Sequence, residues 1–239
     1  MRKQGFGLLM FGALVLSACG QNPSAPAQSA PETATEASAT PSTFLSATER
    51  EALQAQLAEL RQLRADVAAG RTAAPLTDEG QAIDLDALIA SFEADLQQGV
   101  APLNIEVPND TLGAQAAPYP QSTYTAIAAT DVFRNNYNFY RSRYARFNWG
   151  NDGCSGPAKF TGWSDEFFWP CVQHDFGYRN ARLYPRLLNE NHRAWIDGQF
   201  KQHMRQKCAT LGWRKYACYV AAEGFWAAVR HGGRGSFYP

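Results

Sequence analysis

The chain has 239 residues, 45% of them hydrophobic and 18% charged, and its 22 Lys+Arg balance 22 Asp+Glu to a formal net charge of zero. The balance hides an asymmetry: residues 124–239 hold 16 basic against 8 acidic side chains and all six tryptophans, whereas residues 1–123 hold 6 basic and 14 acidic ones. A basic, aromatic-rich part suits an anionic lipid surface or nucleic acid, and charge alone also fits a solvated face with no partner. The export signal described next excludes nucleic acid.

The chain opens MRKQGFGLLMFGALVLSACG. Arg2 and Lys3 form a positive n-region, and Gly5 to Leu16 an apolar run of signal-peptide length, too short to span a bilayer. Leu16-Ser17-Ala18-Cys19 resembles the lipobox of bacterial lipoproteins, which implies cleavage after residue 18 and lipid on Cys19. A plain secretory signal with an incidental cysteine is the other reading, and both export the protein. Five cysteines leave an odd one in an exported chain. With Cys19 lipidated, Cys154, Cys171, Cys208 and Cys218 remain, to pair as two disulfides in an oxidising compartment or stay as buried thiols.

Residues 19–45 are Pro, Ala, Ser and Thr with almost no large apolar side chains, and read as a flexible tether. Residues 46–100 predict an acidic helical hairpin. Ser46-Ala47-Thr48-Glu49 has capping-box form, Leu53, Leu57, Leu60 and Val67 recur at helical spacing, and Gly70 is a natural stop. A second helix starts near Asp84 with Leu85, Leu88, Ile89, Phe92 and Leu96 on one stripe. The hairpin has no histidine or cysteine and is assigned no chemistry; it could be a spacer, a pro-segment suppressing the basic part, or a docking module. Residues 101–123, with four prolines, read as a second linker.

Residues 124–239 are enough for one compact domain. Phe133, Tyr137, Tyr140, Tyr144 and Phe147 lie on one helical stripe of core type. The stretch NWGNDGCSGPAKFTGW is an irregular loop rich in Gly, Asn and Asp, able to turn tightly and present carbonyls. Pro170 suits the first turn of a helix running to about Tyr184. Further helices are expected from about Glu190 to Cys208 and about Trp213 to Arg230. No alternating strand appears, so the fold class is all-α: a small disulfide-clipped helical domain with antiparallel site helices, preceded by a separate hairpin.

On the Pro170 helix, Cys171, His174, Asp175 and Tyr178 fall at i, i+3, i+4 and i+7 and share one side. Adjacent residues point about 100° apart, so His174 and Asp175 flank a common space with separate partners. For Asp175 the natural partner is a hard cation. If Cys154 pairs with Cys171, the loop lies on the start of the helix, and Asp152 and Asp175 can face one ion completed by carbonyls, as calcium prefers. For His174 the natural partner is a carboxylate that fixes its tautomer. Asp197 shares a face with Phe200 and Met204 on the next helix and reaches His174 if the helices are antiparallel. His192, His203 and His231 lack such company and read as structural or surface residues. Phe167, Phe168 and Trp169 could enter a bilayer or the core. Arg179 and Asn180 have no assigned chemistry beyond capping or packing.

N-x-x-x-D-G-C-S followed by C-x-x-H-D-F-G-Y-R-N resembles the secreted phospholipase A2 families, and specifically their small prokaryotic and fungal branch, over about residues 125–220. The resemblance implies that His174 is the general base, Asp197 the carboxylate orienting it, and Tyr178 a support of that pair. It implies Asp152 and Asp175 as calcium ligands, with Gly153 giving its carbonyl, and disulfides Cys154–Cys171 and Cys208–Cys218. Pro170 and Gly177 stand where the animal enzymes carry cysteines, and their Gly-rich calcium-loop pattern is absent, which excludes the animal branch. No Gly-x-Ser-x-Gly elbow is present, so water is the expected nucleophile. The expected activity is calcium-dependent hydrolysis of the sn-2 acyl ester of glycerophospholipids, at a phospholipid surface and without an obligate protein partner. The alternative is an inactive calcium- and lipid-binding surface lipoprotein.

Overall fold

Ser46 and Glu49 exchange hydrogen bonds across the first turn of helix α1 (Ala47–Ala68): the Glu49 N–H donates to Ser46 Oγ at 3.2 Å and the Ser46 N–H to Glu49 Oε2 at 2.7 Å. Just past its end Gly70 takes a φ of 67°, the left-handed turn that stops a helix. Asp84 accepts the Ala87 N–H at 2.9 Å at the start of α2 (Leu85–Gln98). This computed structural model describes residues 45–98, 117–154 and 158–238; the leader, Cys19 and most of both linkers lie outside them. All the described residues fall in one compact unit, residues 39–239.

The remaining helices are α3 (Gln121–Ala129), α4 (Phe133–Arg143), α5 (Phe168–Ala181), α6 (Glu190–Ala209), α7 (Lys215–Gly232) and α8 (Arg234–Phe237). Short 3-10 turns lie at Ala158–Trp163, Pro185–Leu187 and Gly212–Arg214. Among the described residues there is no strand, only an isolated bridge between Leu76 and Ala82. The two disulfides are Cys154–Cys171 and Cys208–Cys218, with Cα atoms 5.2 and 5.4 Å apart. The all-α architecture is thus the one the periodicities predict, and the two disulfides are those the family resemblance implies.

Boundaries differ in places. Helix α3 begins inside the segment read as linker; it is nine residues long and its N-cap is Pro120, with no side-chain cap to announce it. The aromatic stripe of α4 outlasts the helix, since Tyr144 caps it and Phe147 lies beyond. Helix α5 stops at Ala181, short of Tyr184. Tyr184 precedes Pro185 and is extended, because proline crowds the helical conformation of the residue before it.

Two cores flank the α5–α6 pair. One gathers α3, α4 and α5 around Tyr124, Phe133, Phe147 and Phe176. The other joins Leu57 and Leu60 of α1 and Phe92 of α2 to Met204 of α6 and Tyr219 and Ala222 of α7. The hairpin expected to be separate therefore packs within the domain. An ionic cluster accompanies this packing: Lys201 and Arg205 of α6, with side chains 3% and 0% exposed, each pair with Asp95 of α2 and Glu223 of α7 at 2.5–2.9 Å. Of the three aromatics before the site helix, Phe167 is core, Trp169 half-buried, and Phe168 40% exposed.

Candidate active site

Helices α5 and α6 meet at a glycine. A Cβ on Gly177 would lie 2.8 Å from Ile196 Cγ2, so only a bare α-carbon permits this approach. Contacts then run in opposite chain directions, Tyr178 near Arg193, Gly177 on Ile196 and His174 on Phe200, which makes the pair antiparallel. One turn from the glycine, His174 Nε2 lies 2.8 Å from Asp197 Oδ1. The Tyr178 hydroxyl donates to the same oxygen at 2.6 Å. The imidazole lies between Tyr178 and Phe200, with ring centroids 4.2 and 4.8 Å away.

Asp197 has a fully buried side chain. Burial pushes its carboxyl up, but hydrogen bonds from His174, Arg230 and Tyr178 and the charge of His174 outweigh that and hold it below its ordinary range. Burial and the neighbouring Asp197 charge push the Tyr178 phenol well up, so it stays a donor. With Asp197 ionised, the imidazole donates from Nε2 and presents its Nδ1 lone pair elsewhere.

The Cys154–Cys171 disulfide pins the preceding loop to the start of α5. Gly153 turns that loop with a φ of 76°. The Asp152 N–H donates to Asp175 Oδ2 at 3.0 Å, and the Arg179 guanidinium reaches Asp152 Oδ1 at 3.0 Å. Burial, and then a hydrogen bond shared with the Asp152 carboxyl, push Asp175 up to about 7. The same shared bond, helped by Arg179, pulls Asp152 down. Two carboxyls left to share a proton are a donor set that a hard dication satisfies better. Among the described residues no cluster of three His, Cys, Asp or Glu side chains could hold a metal. An ion here would draw its other ligands from carbonyl oxygens and water, the mixture calcium accepts and zinc does not favour.

These groups open into one cavity of about 470 Å³, lined on the polar side by Asp152, His174 and Asp175 and on the apolar side by Phe200, Phe225 and Val229. The structure thus brings together His174, Asp175, Tyr178, Asp197, Asp152 and Gly153, as the sequence predicts. His192 and His203 are buried away from it, and His231 is exposed. The Tyr124 hydroxyl donates to the Gly177 carbonyl at 2.8 Å and lies 2.9 Å from His192 Nε2, whose burial pulls the imidazole down to about 3.

Three features escaped the sequence reading. Asn180, fully buried, donates to the Asn148 carbonyl at 2.9 Å and accepts the Asn148 N–H at 2.8 Å, clamping the loop to α5. Its place inside the motif was the available signal. Gly177 sets the helix spacing, and its signal was the departure from cysteine. Arg193 and Arg230 hold the far side of Asp197 at 3.4 and 2.8 Å. Only Arg193, four residues before Asp197, left a local trace.

Residues 125–233 match the model of a family described as prokaryotic phospholipase A2. A curated relative, the secretory phospholipase A2 of Arthroderma benhamiae, is 28% identical over 134 residues, covering 51% of this chain and 88% of the relative. The matched span contains Asp152, Gly153, His174, Asp175, Tyr178 and Asp197. Through residues 125–233 the chain is similar to the prokaryotic phospholipase A2 family.

Proposed function

We propose that this phospholipase A2 hydrolyses the sn-2 acyl ester of glycerophospholipids, with water activated by His174 and calcium held by Asp152, Gly153 and Asp175. Hydrolysis of a lipid ester follows from the family; the position cleaved and the ion are the proposal. The observation that carries it is the 2.8 Å bond between His174 Nε2 and the buried Asp197, beside a carboxylate pair in the same cavity.

In this reading His174 Nδ1 takes a proton from water as its oxygen bonds to the ester carbon. Asp197, steadied by Tyr178, balances the imidazolium. His174 then gives the proton to the departing glycerol oxygen as the ester C–O bond breaks, which leaves a fatty acid and a lysophospholipid. Phe200, Phe225 and Val229 offer the acyl chain an apolar wall. When bound, calcium would supply countercharge to the phosphate and polarise the ester carbonyl.

The likeness to a secretory fungal phospholipase A2 supports export. We further place residues 1–18 as a leader, Cys19 as a lipid anchor, residues 19–45 and 101–123 as linkers, and residues 46–100 as the hairpin preceding the catalytic part at 124–239. Among the described residues no helix is long and apolar enough to cross a membrane, and the working surface in this reading is a phospholipid bilayer, one of anionic lipid suiting the basic catalytic part.

The test is fatty-acid release from phosphatidylcholine vesicles labelled at sn-2, with calcium or with excess EGTA. Release that needs calcium and is lost in His174→Asn is expected. EGTA-insensitive release would remove the calcium site, and an active His174→Asn would remove the base.

A further inference from the structure

Asp197 is held from both sides. Its Oδ1 receives His174 and Tyr178, while its Oδ2 receives Arg230 Nη1 at 2.8 Å and Arg193 Nη1 at 3.4 Å. Both arginines are seated by one residue at the start of α6. Glu190 takes Arg193 through Nε and Nη2, each at 2.8 Å, and takes Arg230 Nη2 at 2.6 Å. Arg193 also donates to the Val229 and Arg230 carbonyls at 3.2 Å, fixing the end of α7 to the start of α6.

We propose that Arg230, seated by Glu190 beside Arg193, is a positioning residue that keeps the Asp197 carboxylate turned toward His174. The inference rests on the reading of His174 as the base. A carboxylate bonded through one oxygen pivots about its Cβ–Cγ bond. Bonded through both oxygens from opposite sides, its plane is fixed, and with it the imidazole that hangs from Oδ1. The position is also fully buried, so an Oδ2 without partners would carry the cost of a buried unpaired acceptor and would turn to recover a donor from the site side. Arginine suits the task because it keeps its charge across the working pH range and its planar fork reaches Asp197 and Glu190 together. The other members hold Oδ2 less directly: Glu190 is half exposed, and Arg193 reaches Oδ2 only at 3.4 Å while its other donors go to Glu190 and the α7 carbonyls.

The test is Arg230→Gln in the full mature chain, assayed on the same sn-2-labelled vesicles with kcat and KM separated. Calcium binding is measured calorimetrically and folding by thermal melting. The expected result is a loss of roughly 10- to 100-fold in kcat, with vesicle KM and calcium affinity unchanged. Arg230→Lys, which returns a cation to Oδ2, should recover most of that loss. Wild-type kcat in Arg230→Gln would overturn the proposal, and so would a loss matched by equal changes in KM and calcium affinity, which marks a merely structural contact. Should Arg230→Gln not fold, Glu190→Gln carries the test: a several-fold fall in kcat at constant KM supports the clamp, and unchanged kcat overturns it. His174→Asn is run in parallel. If it stays active, the assignment of the base fails whatever Arg230 does; if it is dead while Arg230→Gln is fully active, only the positioning role fails.

Discussion

Gly177→Ala sets two magnitudes against each other. Inside a helix, alanine is favoured over glycine by about 0.8–1 kcal/mol. Against that, the new Cβ would stand 2.8 Å from Ile196 Cγ2, while Cγ1 and Cδ1 at 3.5 and 3.6 Å are in ordinary contact. The conflict is thus with one methyl. Isoleucine is β-branched and nearly locked to one χ1 rotamer in a helix, so that methyl cannot swing clear. Overpacking of this kind costs about 1–3 kcal/mol, and the net expectation is a loss of about 1 kcal/mol. The relief available is separation of α5 from α6, and the His174–Asp197 bond bridges those two helices at 2.8 Å, so kcat should fall as well. Urea unfolding with the disulfides intact measures the first effect and vesicle hydrolysis the second. Ile196→Leu removes the offending Cγ2 at constant volume. The double variant should therefore be more stable than the separate effects imply, by at least about 0.5 kcal/mol. An alanine variant that gains about 1 kcal/mol and keeps its kcat would refute the claim that this glycine sets the helix spacing.

Burial and the bond shared with Asp152 lift the Asp175 carboxyl to about 7, against about 3.9 in an unfolded chain. A raised acid stabilises fully below its unfolded pKa and loses that contribution as pH rises through the folded one. The calcium-free protein should therefore lose stability between about pH 4 and pH 7 relative to Asp175→Asn. Calcium, which needs the carboxylate, should bind more weakly below about pH 7, and equal calorimetric affinities at about pH 5 and about pH 8 would contradict this. Replacing Cys154 and Cys171 by serine opens a span of 17 residues, should cost about 3 kcal/mol, and should weaken calcium binding by freeing Asp152. Replacing Cys208 and Cys218 should leave that affinity alone. Asp95→Ala leaves Lys201 and Arg205 buried with one acidic partner fewer and should cost about 3–5 kcal/mol in urea unfolding. Cys19→Ser should move the protein from the detergent phase to the aqueous phase on extraction of the producing cells; unchanged partition would refute the anchor.

What the sequence made legible was local. The capping box, the leucine stripes and the one-sided set at 171, 174, 175 and 178 each depend on residues within two helical turns, and each is found in the structure. Asp197 was reachable because it shares a face with Phe200 and Met204. Features that depend on distant partners were not legible. Arg230 meets Asp197 across 33 residues, and Arg205 meets Asp95 across 110. Neither pairing follows from spacing, because which helix lies beside which is decided by the whole packing.

Helix α6 shows why. Arg193, Asp197, Lys201 and Arg205 recur every four residues, a charge stripe that on sequence alone reads as a solvated face. All four are buried, since each is matched by a partner: Glu190 of the same helix and Arg230 of α7 around the first pair, Asp95 of α2 and Glu223 of α7 around the second. Burying such charges is tolerable only when they are paired, and the pairing requires the hairpin at one end of α6 and the close of α7 at the other. The stripe therefore serves two purposes along one helix. Its first half orients the carboxylate beside His174, and its second half fastens α2 to the back of the same helix. A disturbance of the hairpin at Asp95 would accordingly reach the cavity through the seating of α6, which makes the calcium affinity and kcat of Asp95→Ala, measured below its unfolding transition, the sharper gauge of how far the acidic hairpin is part of the enzyme.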